Sequence, residues 1–369
     1  MAKFIPIAEP SITQKEIEYV RDAIKSGWVS SLGEYIARFE QKFAEYIGVK
    51  YALTTMNGTV ALHLALVSLG IKEGDEVIIP DLTFIATANA VVYSGAKPVM
   101  VDIERDTWCI DPKCIKKAVT KRTKAIIPVH LYGHPANMND VNEIAEQNGL
   151  YVIEDAAEAH GAEYKGKKVG GIGDVGCFSF YGNKIITTGE GGMIMTNNEE
   201  IFERAKFLRD HAMDANKRYW HTEIGYNYRM TNLQAALGLA QLERIDSLIS
   251  KKELVFDWYE EHLNNIPGIK LNPEKEWAKN VYWMVCLVMD KSSPLSRDNL
   301  MIRLKEKGID TRPFFYPISQ MPMYRSSKIN PVAYDISQRG VSLPSGVNLN
   351  KEQIAYICQQ LKGILKNKI

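Results

Sequence analysis

From Lys50 onward, short runs of consecutive apolar residues alternate with longer stretches in which apolar side chains return every three or four positions. The runs are KYALTT, DEVIIP, KPVMVD, TKAIIPVH and LYVIED, and between them lie stretches such as TVALHLALVSLG and MNDVNEIAEQNG. Unbroken apolar runs of this length suit strands buried on both faces, and the longer period suits helices. The rhythm is that of βαβ units, whose right-handed crossovers give a mostly parallel sheet covered by helices. Ligands are expected at the loops that follow the carboxyl ends of the strands. After Phe178 the rhythm changes. Two short strands flank a turn, a helix starts near Glu199, and the stretch from Thr231 to about Asn265 reads as largely helical, long enough to join two domains. The tail carries VYWMVCLVMD, LMIRLKEKG and a last helix KEQIAYICQQLKGILKNK, the alternation expected of a small α+β domain. The expected division is a large α/β domain with the N-terminal segment, residues 1–245, and a smaller α+β domain, residues 246–369.

Candidate chemistry sits at the predicted strand ends. FSFYGNKIITTGEGGM places Lys184 in a turn between an apolar run and a glycine-rich stretch. A lysine amine is a poor nucleophile until its pKa falls, and burial beside a carbonyl cofactor lowers it, which suits Schiff-base formation. A lone lysine in a turn reads equally as a surface residue. LYVIED ends at Asp155, whose carboxylate can keep a pyridinium nitrogen protonated, the electron sink that a pyridoxal cofactor requires. The same aspartate can also cap a helix in AAEAHG. Glu158 and His160 follow, within reach of a ring or a substrate, or in a surface turn. In MNGTVALHLAL, Gly58 and Thr59 open an apolar helix, so their N–H groups and the hydroxyl can hold a phosphate at its positive end. A plain N-cap has the same appearance. Ser179 offers a second hydroxyl or packs as a small residue in a sheet. Phe84 opens the helix after DEVIIP and either stacks on a pyridine ring or joins the core.

Composition removes other classes. With 369 residues, 46% hydrophobic and 24% charged, the chain can bury the cores of two domains. A formal net charge of +1, with no long run of one sign, gives no overall field toward nucleic acid or a membrane surface. MAKFIPIAEP has no basic segment followed by an apolar one, and no run approaches a bilayer's thickness, so the cytoplasm is the expected location. The five cysteines form neither a CxxC pair nor a cluster with histidines, so neither a metal site nor a disulfide framework is expected. No GxGxxG follows an early strand, which argues against a nicotinamide dehydrogenase. No helix-turn-helix extension accompanies the enzyme-like part, which argues against a regulator that binds its cofactor without turnover.

The series NGTVALHLAL, PDLTFIATANA, VHLYGH, EDAAEAHGA, FSFYGNKIITTGEGGM and GYNYRMTNLQAALGLAQLERID resembles the DegT family of nucleotide-sugar aminotransferases over nearly the whole length. These are pyridoxal 5′-phosphate enzymes of fold type I, so the resemblance implies an aspartate-aminotransferase-like large domain and a homodimer with shared active sites. It implies that Lys184 is the Schiff-base lysine, Asp155 the partner of the pyridine nitrogen and Glu158 the neighbour of the ring's 3-hydroxyl. Gly58, Thr59 and Ser179 match phosphate binders, Phe84 the stacked aromatic, and Asn227 an asparagine that reaches the phosphate from the partner subunit. Arg229 matches an arginine able to take a donor carboxylate, and reads equally as a structural salt bridge. Trp28 and Ser30 in GWVSSLG align with a segment near the acceptor site, although a turn between two amphipathic helices explains it as well. Tyr316 and Ser319 stand where many relatives carry histidines. A branch with histidine in place of the lysine carries out dehydration, and Lys184 argues against it. The pairing of GNKIITTGEGGM with RYWHTEIGYNYRMTN is most like members that aminate the 4-keto position of GDP-4-keto-6-deoxymannose for O-antigen or other glycan precursors. L-glutamate is then the donor and 2-oxoglutarate the by-product. A UDP- or dTDP-linked 3- or 4-keto sugar is the alternative acceptor.

Overall fold

A computed structural model describes residues 4–326 and 329–366. Its centre is a seven-stranded sheet of β1 (Tyr51–Thr55), β2 (Glu76–Pro80), β3 (Lys97–Val101), β4 (Thr123–Ile126), β5 (Tyr151–Asp155), β6 (Val175–Ser179) and β7 (Gly192–Thr196), in spatial order β1-β7-β6-β5-β4-β2-β3. Neighbours from β3 to β6 run parallel, and β7 alone runs antiparallel to both of its neighbours. The cause is local: β6 and β7 are joined by the hairpin that carries Lys184, not by a crossover helix.

The continuous apolar runs are strands covered on both faces, as expected for parallel sheets. Val77, Ile79, Ile153 and Ile194 face one core with helices α3 (Gly58–Ser68), α4 (Ala86–Tyr93) and α7 (Glu199–Arg209). Ile78, Val152, Phe178 and Met193 face the other, with α2 (Glu34–Ile47), α6 (Met138–Asn148) and α8 (Asn232–Leu242). Here Phe43 and Phe178 meet edge to face at 5.0 Å, and Phe39 lies 5.1 Å from Phe180. Phe178 has no exposure, so Phe178→Ala costs about 3–5 kcal/mol. Helices α1 (Gln14–Lys25) and α5 (Pro112–Ala118) complete the cover.

The expected helical stretch from Thr231 forms as two helices, α8 and α9 (Ile245–Leu263). They break at Arg244, whose backbone leaves the helical region and whose Nε donates to Glu16 Oε1 at 2.6 Å. Beyond α9 lies an antiparallel sheet of β8 (Ile269–Leu271), β9 (Cys286–Met289), β10 (Arg312–Pro313) and β11 (Gly340–Ser342), in order β8-β9-β11-β10. Helices α10 (Arg297–Glu306), α11 (Pro331–Arg339) and α12 (Lys351–Lys366) belong to this half. Two residues of the expected last helix, 367 and 368, lie outside the described residues.

Two features connect the halves. The N-terminal segment, grouped with residues 1–245 in the expected division, packs through Ile5 into the cluster formed by α9, β9, β11, α10 and α12. Ile5 N–H donates to Gly308 O at 2.8 Å, Asp310 N–H to Ile5 O at 2.9 Å, and Ser345 N–H to Ile7 O at 2.7 Å. The extended run from Phe4 to Ile7 has no partner of its own for these groups, and buried backbone polar groups must find one. The second feature is the approach of residues 280–283 to Gly133, which sits at φ +102; a Cβ there would lie 2.9 Å from Tyr282 N. A glycine at this point lets a segment of the small domain close on the strand ends.

Candidate active site

The carboxyl ends of the strands surround a cavity of about 470 Å³. A trough of about 670 Å³ lies elsewhere, between the N-terminal segment and α12, with only the exposed Glu9 and Glu352 as acids. The cavity at the strand ends holds the candidate chemistry: Gly58, Thr59, Phe84, Asp155, Glu158, Ser179 and Lys184 all line it. Residues from distant parts of the sequence therefore converge on one cavity.

Lys184 is set by a closed turn. Its N–H donates to Tyr181 O at 2.9 Å, while Phe180 exchanges backbone bonds with Gly191 and Thr188 at the neck. Its Nζ lies 3.8 Å from Glu158 Oε1 and 3.8 Å from the centroid of Trp283. Burial holds the Lys184 amine below the usual lysine range, opposed by Glu158 and Asp155. Glu158 is pushed up to about 7 by burial, opposed by Lys184 and by the Tyr132 N–H that its Oε2 accepts at 2.8 Å. Both shifts favour the uncharged forms, because desolvation penalises each charge more than this separation rewards the pair.

Asp155 ends β5 with no helix after it, so it caps none. Its Oδ2 accepts the Thr87 hydroxyl at 2.8 Å, and its Oδ1 accepts Ala157 N–H at 3.2 Å. Burial raises its pKa against the pull of Thr87, Ala157 and Lys184. At the opposite wall the cap of α3 is Asn57, whose Oδ1 accepts Val60 N–H at 3.0 Å. As the first residues of the helix, Gly58 and Thr59 have no carbonyl one turn back to bond, and their N–H groups remain at its positive end. A Cβ on Gly58 would lie 2.7 Å from the Ser179 Cβ, so only glycine lets the helix start approach that serine.

Other expected residues lie off the cavity. His160 is fully buried between Phe178 and Phe180, at 5.3 and 5.7 Å, and neither ring nitrogen has a hydrogen-bond partner among the described residues. Burial pushes it down to about 3, so it is a neutral core side chain instead of a group facing the substrate. Arg229 donates to Asp210 at 3.0 Å, the structural salt bridge. Tyr316 faces outward at 45% exposure and accepts from Arg297 Nη2 at 3.3 Å; its neighbour Phe315 lines the cavity, 5.7 Å from Phe84. Ser319 is tied to Asp81 through N–H and hydroxyl at 2.7 and 2.6 Å. Trp28 and Ser30 are exposed, with their carbonyls accepting from Asn232 at 2.7 and 2.6 Å. Asn227 is exposed and bridges Asp210 through its backbone.

Residues 10–362 match the DegT/DnrJ/EryC1/StrS aminotransferase family. The chain belongs to this family. Among its relatives is the GDP-perosamine synthase of Escherichia coli O157:H7, 47% identical over 99% of this chain and 100% of the relative. The protein of the same name from Vibrio cholerae is 44% identical over 97% and 98%. Among solved structures, Helicobacter pylori PseC, an aminotransferase involved in the biosynthesis of pseudoaminic acid, superposes with a TM-score of 0.94. It is 29% identical over 99% of this chain and 100% of that one.

The cavity is also lined by Asn57, Asn183, Trp283 and Phe315, with Thr87 bonded to Asp155, none of which stood out along the chain. Asn57 and Thr87 had a signal, since an asparagine before Gly-Thr is a strong N-cap and PDLTFIAT places hydroxyls at a helix start. Trp283 arrives with the segment that closes on Gly133, and Phe315 beside Tyr132, whose hydroxyl accepts its N–H at 3.2 Å, so both come from far along the chain and only the fold reveals them.

Proposed function

We propose that this aminotransferase binds pyridoxal 5′-phosphate and moves the amino group of L-glutamate to the 4-keto carbon of GDP-4-keto-6-deoxymannose, giving GDP-perosamine. The observation that carries the reading is the buried Lys184 amine, flanked by Glu158 and Trp283 in one cavity with Asp155. The acceptor is taken from the two relatives that match nearly end to end.

The cavity fits the cofactor on its own geometry. One wall offers free N–H groups at a helix start with two hydroxyls, and a glycine admits close approach there. The other end offers a buried carboxylate held by a hydroxyl. In this reading Gly58, Thr59 and Ser179 hold the phosphate, Phe84 covers the ring, Asp155 faces the ring nitrogen and Glu158 the 3-hydroxyl. When bound, the cofactor supplies an electron sink for the carbanion left by proton removal.

The remaining work falls to the chain. Thr87 and the Ala157 N–H fix the Asp155 carboxylate so that it can hold a proton on the ring nitrogen. With the cofactor bound, Lys184 Nζ would be the group that takes the proton from the carbon bearing the donor amine and holds it for return within the same site. In the second half it carries a proton the other way, so one group serves both directions. Glu158 stands beside the Lys184 amine at 3.8 Å while it is free.

In the same reading the working unit is a homodimer in the cytoplasm, with Asn227 reaching the partner's phosphate. Exposed apolar side chains support it: Met56 at 41%, Phe84 at 54% and Tyr181 at 50%. Among the described residues no helix is long and apolar enough to cross a membrane.

The test is turnover of purified, cofactor-loaded protein with glutamate and GDP-, UDP- or dTDP-linked keto sugars, with products identified by mass spectrometry and NMR. The GDP sugar should give 2-oxoglutarate and the 4-amino sugar fastest. No amino sugar, or preference for another nucleotide, overturns the reading.

A further inference from the structure

Trp283 is the side chain through which the small domain touches the Lys184 amine, and the surroundings fix its orientation. Its Nε1–H donates to Asn183 O at 2.8 Å, the carbonyl next to Lys184 in the chain. Its own carbonyl accepts from the buried Lys252 Nζ at 2.9 Å, and the same amine donates to Ser345 O at 2.5 Å. Its ring lies within 12° of parallel to Tyr132, with centroids 6.1 Å apart. Tyr132 also donates its N–H to Glu158. The two groups beside Lys184 Nζ, one carboxyl and one aromatic face, are therefore braced by a single residue.

We propose that Trp283 is a positioning residue for the reaction, its indole face being the holding site of the Lys184 amine whenever that amine is free of the cofactor. The free amine must carry a proton from one carbon to another, and between those events it is an ammonium in a buried site. The negative face of an indole stabilises a desolvated cation without offering a base that would take its proton. A second carboxylate in that place would compete for the proton. Trp283 thus holds the charged form within reach and leaves the delivery to Lys184. Burial pushes the amine toward its neutral form against Glu158 and Asp155, and a cation held 3.8 Å from the indole centroid adds to that opposition.

The inference rests on Lys184 being the cofactor-bearing amine, and the experiment separates the two. Full-length protein labelled with 5-fluorotryptophan is loaded with the amine form of the cofactor, in which Lys184 is free. The fluorine resonance that Trp283→Phe abolishes should shift through one titration, and Lys184→Met should remove that titration. The pH midpoint for chemical labelling of Lys184, read by mass spectrometry, should fall by roughly 1 unit in Trp283→Leu. Trp283→Phe, which keeps a face, should leave the midpoint near the wild-type value. A fluorine resonance indifferent to the Lys184 titration overturns the proposal, whether or not Trp283→Leu folds, and so does an unchanged midpoint in a folded Trp283→Leu. Borohydride trapping of the cofactor on another lysine would sink the parent reading instead.

Discussion

Lys184 Nζ stands 3.8 Å from Glu158 Oε1, beyond hydrogen-bond range yet close enough for each group to set the other's charge. Glu158 is pushed from 4.5 up to about 7, chiefly by burial. An acid whose pKa is raised by folding contributes stability that is whole below its unfolded pKa and is lost as pH rises through the folded one. The window therefore runs from 4.5 to about 7. Glu158→Gln should barely change the melting of cofactor-free protein near pH 4.5. It should raise stability near pH 8 by up to about 3 kcal/mol. Melting curves at the two pH values check this, and equal shifts at both would refute the assignment to burial.

Asp155→Asn keeps shape and the contact to Ala157 but removes the charge that holds a proton on the ring nitrogen. The Thr87 hydroxyl can then accept from the new NH₂ and donate to Thr83 Oγ1, 3.2 Å away, so the fold should survive. Turnover should fall by roughly 10²–10³-fold, the loss typical when a preorganised charge is taken from a buried site. A cofactor absorbance titration should show binding changed much less. A variant that loses binding and turnover in proportion would make Asp155 an anchor only.

The large domain was legible because its strands are buried on both faces. EVIIP and YVIED then read as apolar runs, and helices between them keep their own period. The site was legible to the extent that it is built at strand ends of that domain, which is why Lys184, Asp155, Glu158, Gly58 and Ser179 could be ordered in advance. His160 misled because EDAAEAHG puts it near the site in sequence, while the turn after β5 points it into the Phe178 and Phe180 cluster. Trp283 and Ile5 were illegible for a common reason: each docks on the other half of the molecule, and long-range docking leaves no period in the local sequence.

Gly58→Ala tests the approach of α3 to Ser179. A methyl group there meets the Ser179 Cβ at 2.7 Å and its Cα at 3.2 Å, and backbone cannot swing aside as a side-chain tip does. The helix start must shift, which should weaken cofactor binding by about tenfold or more. Thr59→Val crowds nothing and removes one hydroxyl, so it should weaken binding by a factor of about ten with little change in the melting of cofactor-free protein. Binding titrations followed by cofactor absorbance check both. Unaltered affinity in Gly58→Ala would mean that the phosphate sits elsewhere.

Glu154, next to Asp155 in β5, decides whether the strand end is rigid. Its carboxylate accepts His130 Nε2–H at 3.0 Å and the N–H groups of Gly170, Ile172 and Gly173 at 2.8, 2.6 and 2.7 Å. His130 Nδ1 accepts Ala136 N–H at 3.0 Å, so the ring donates from Nε2. Burial pushes Glu154 up, but the bonds from His130 and the glycine N–H groups outweigh it and leave the carboxyl below its usual value. A carboxyl lowered by folding contributes stability that is present above the unfolded pKa and is lost as pH falls through the folded one. Glu154→Gln turns an NH₂ toward donors that need an acceptor, and should cost about 3–5 kcal/mol at neutral pH. The gap to the wild type should narrow as pH falls below 4.5, where the carboxyl of the unfolded chain takes up its proton while the native one is still ionised. The loop from His130 also carries Tyr132, which donates to Glu158, so the variant should loosen the site as well as the fold. Denaturant titrations at several pH values measure the gap, and a gap independent of pH would show that the ionised form of Glu154 is not what holds these loops together.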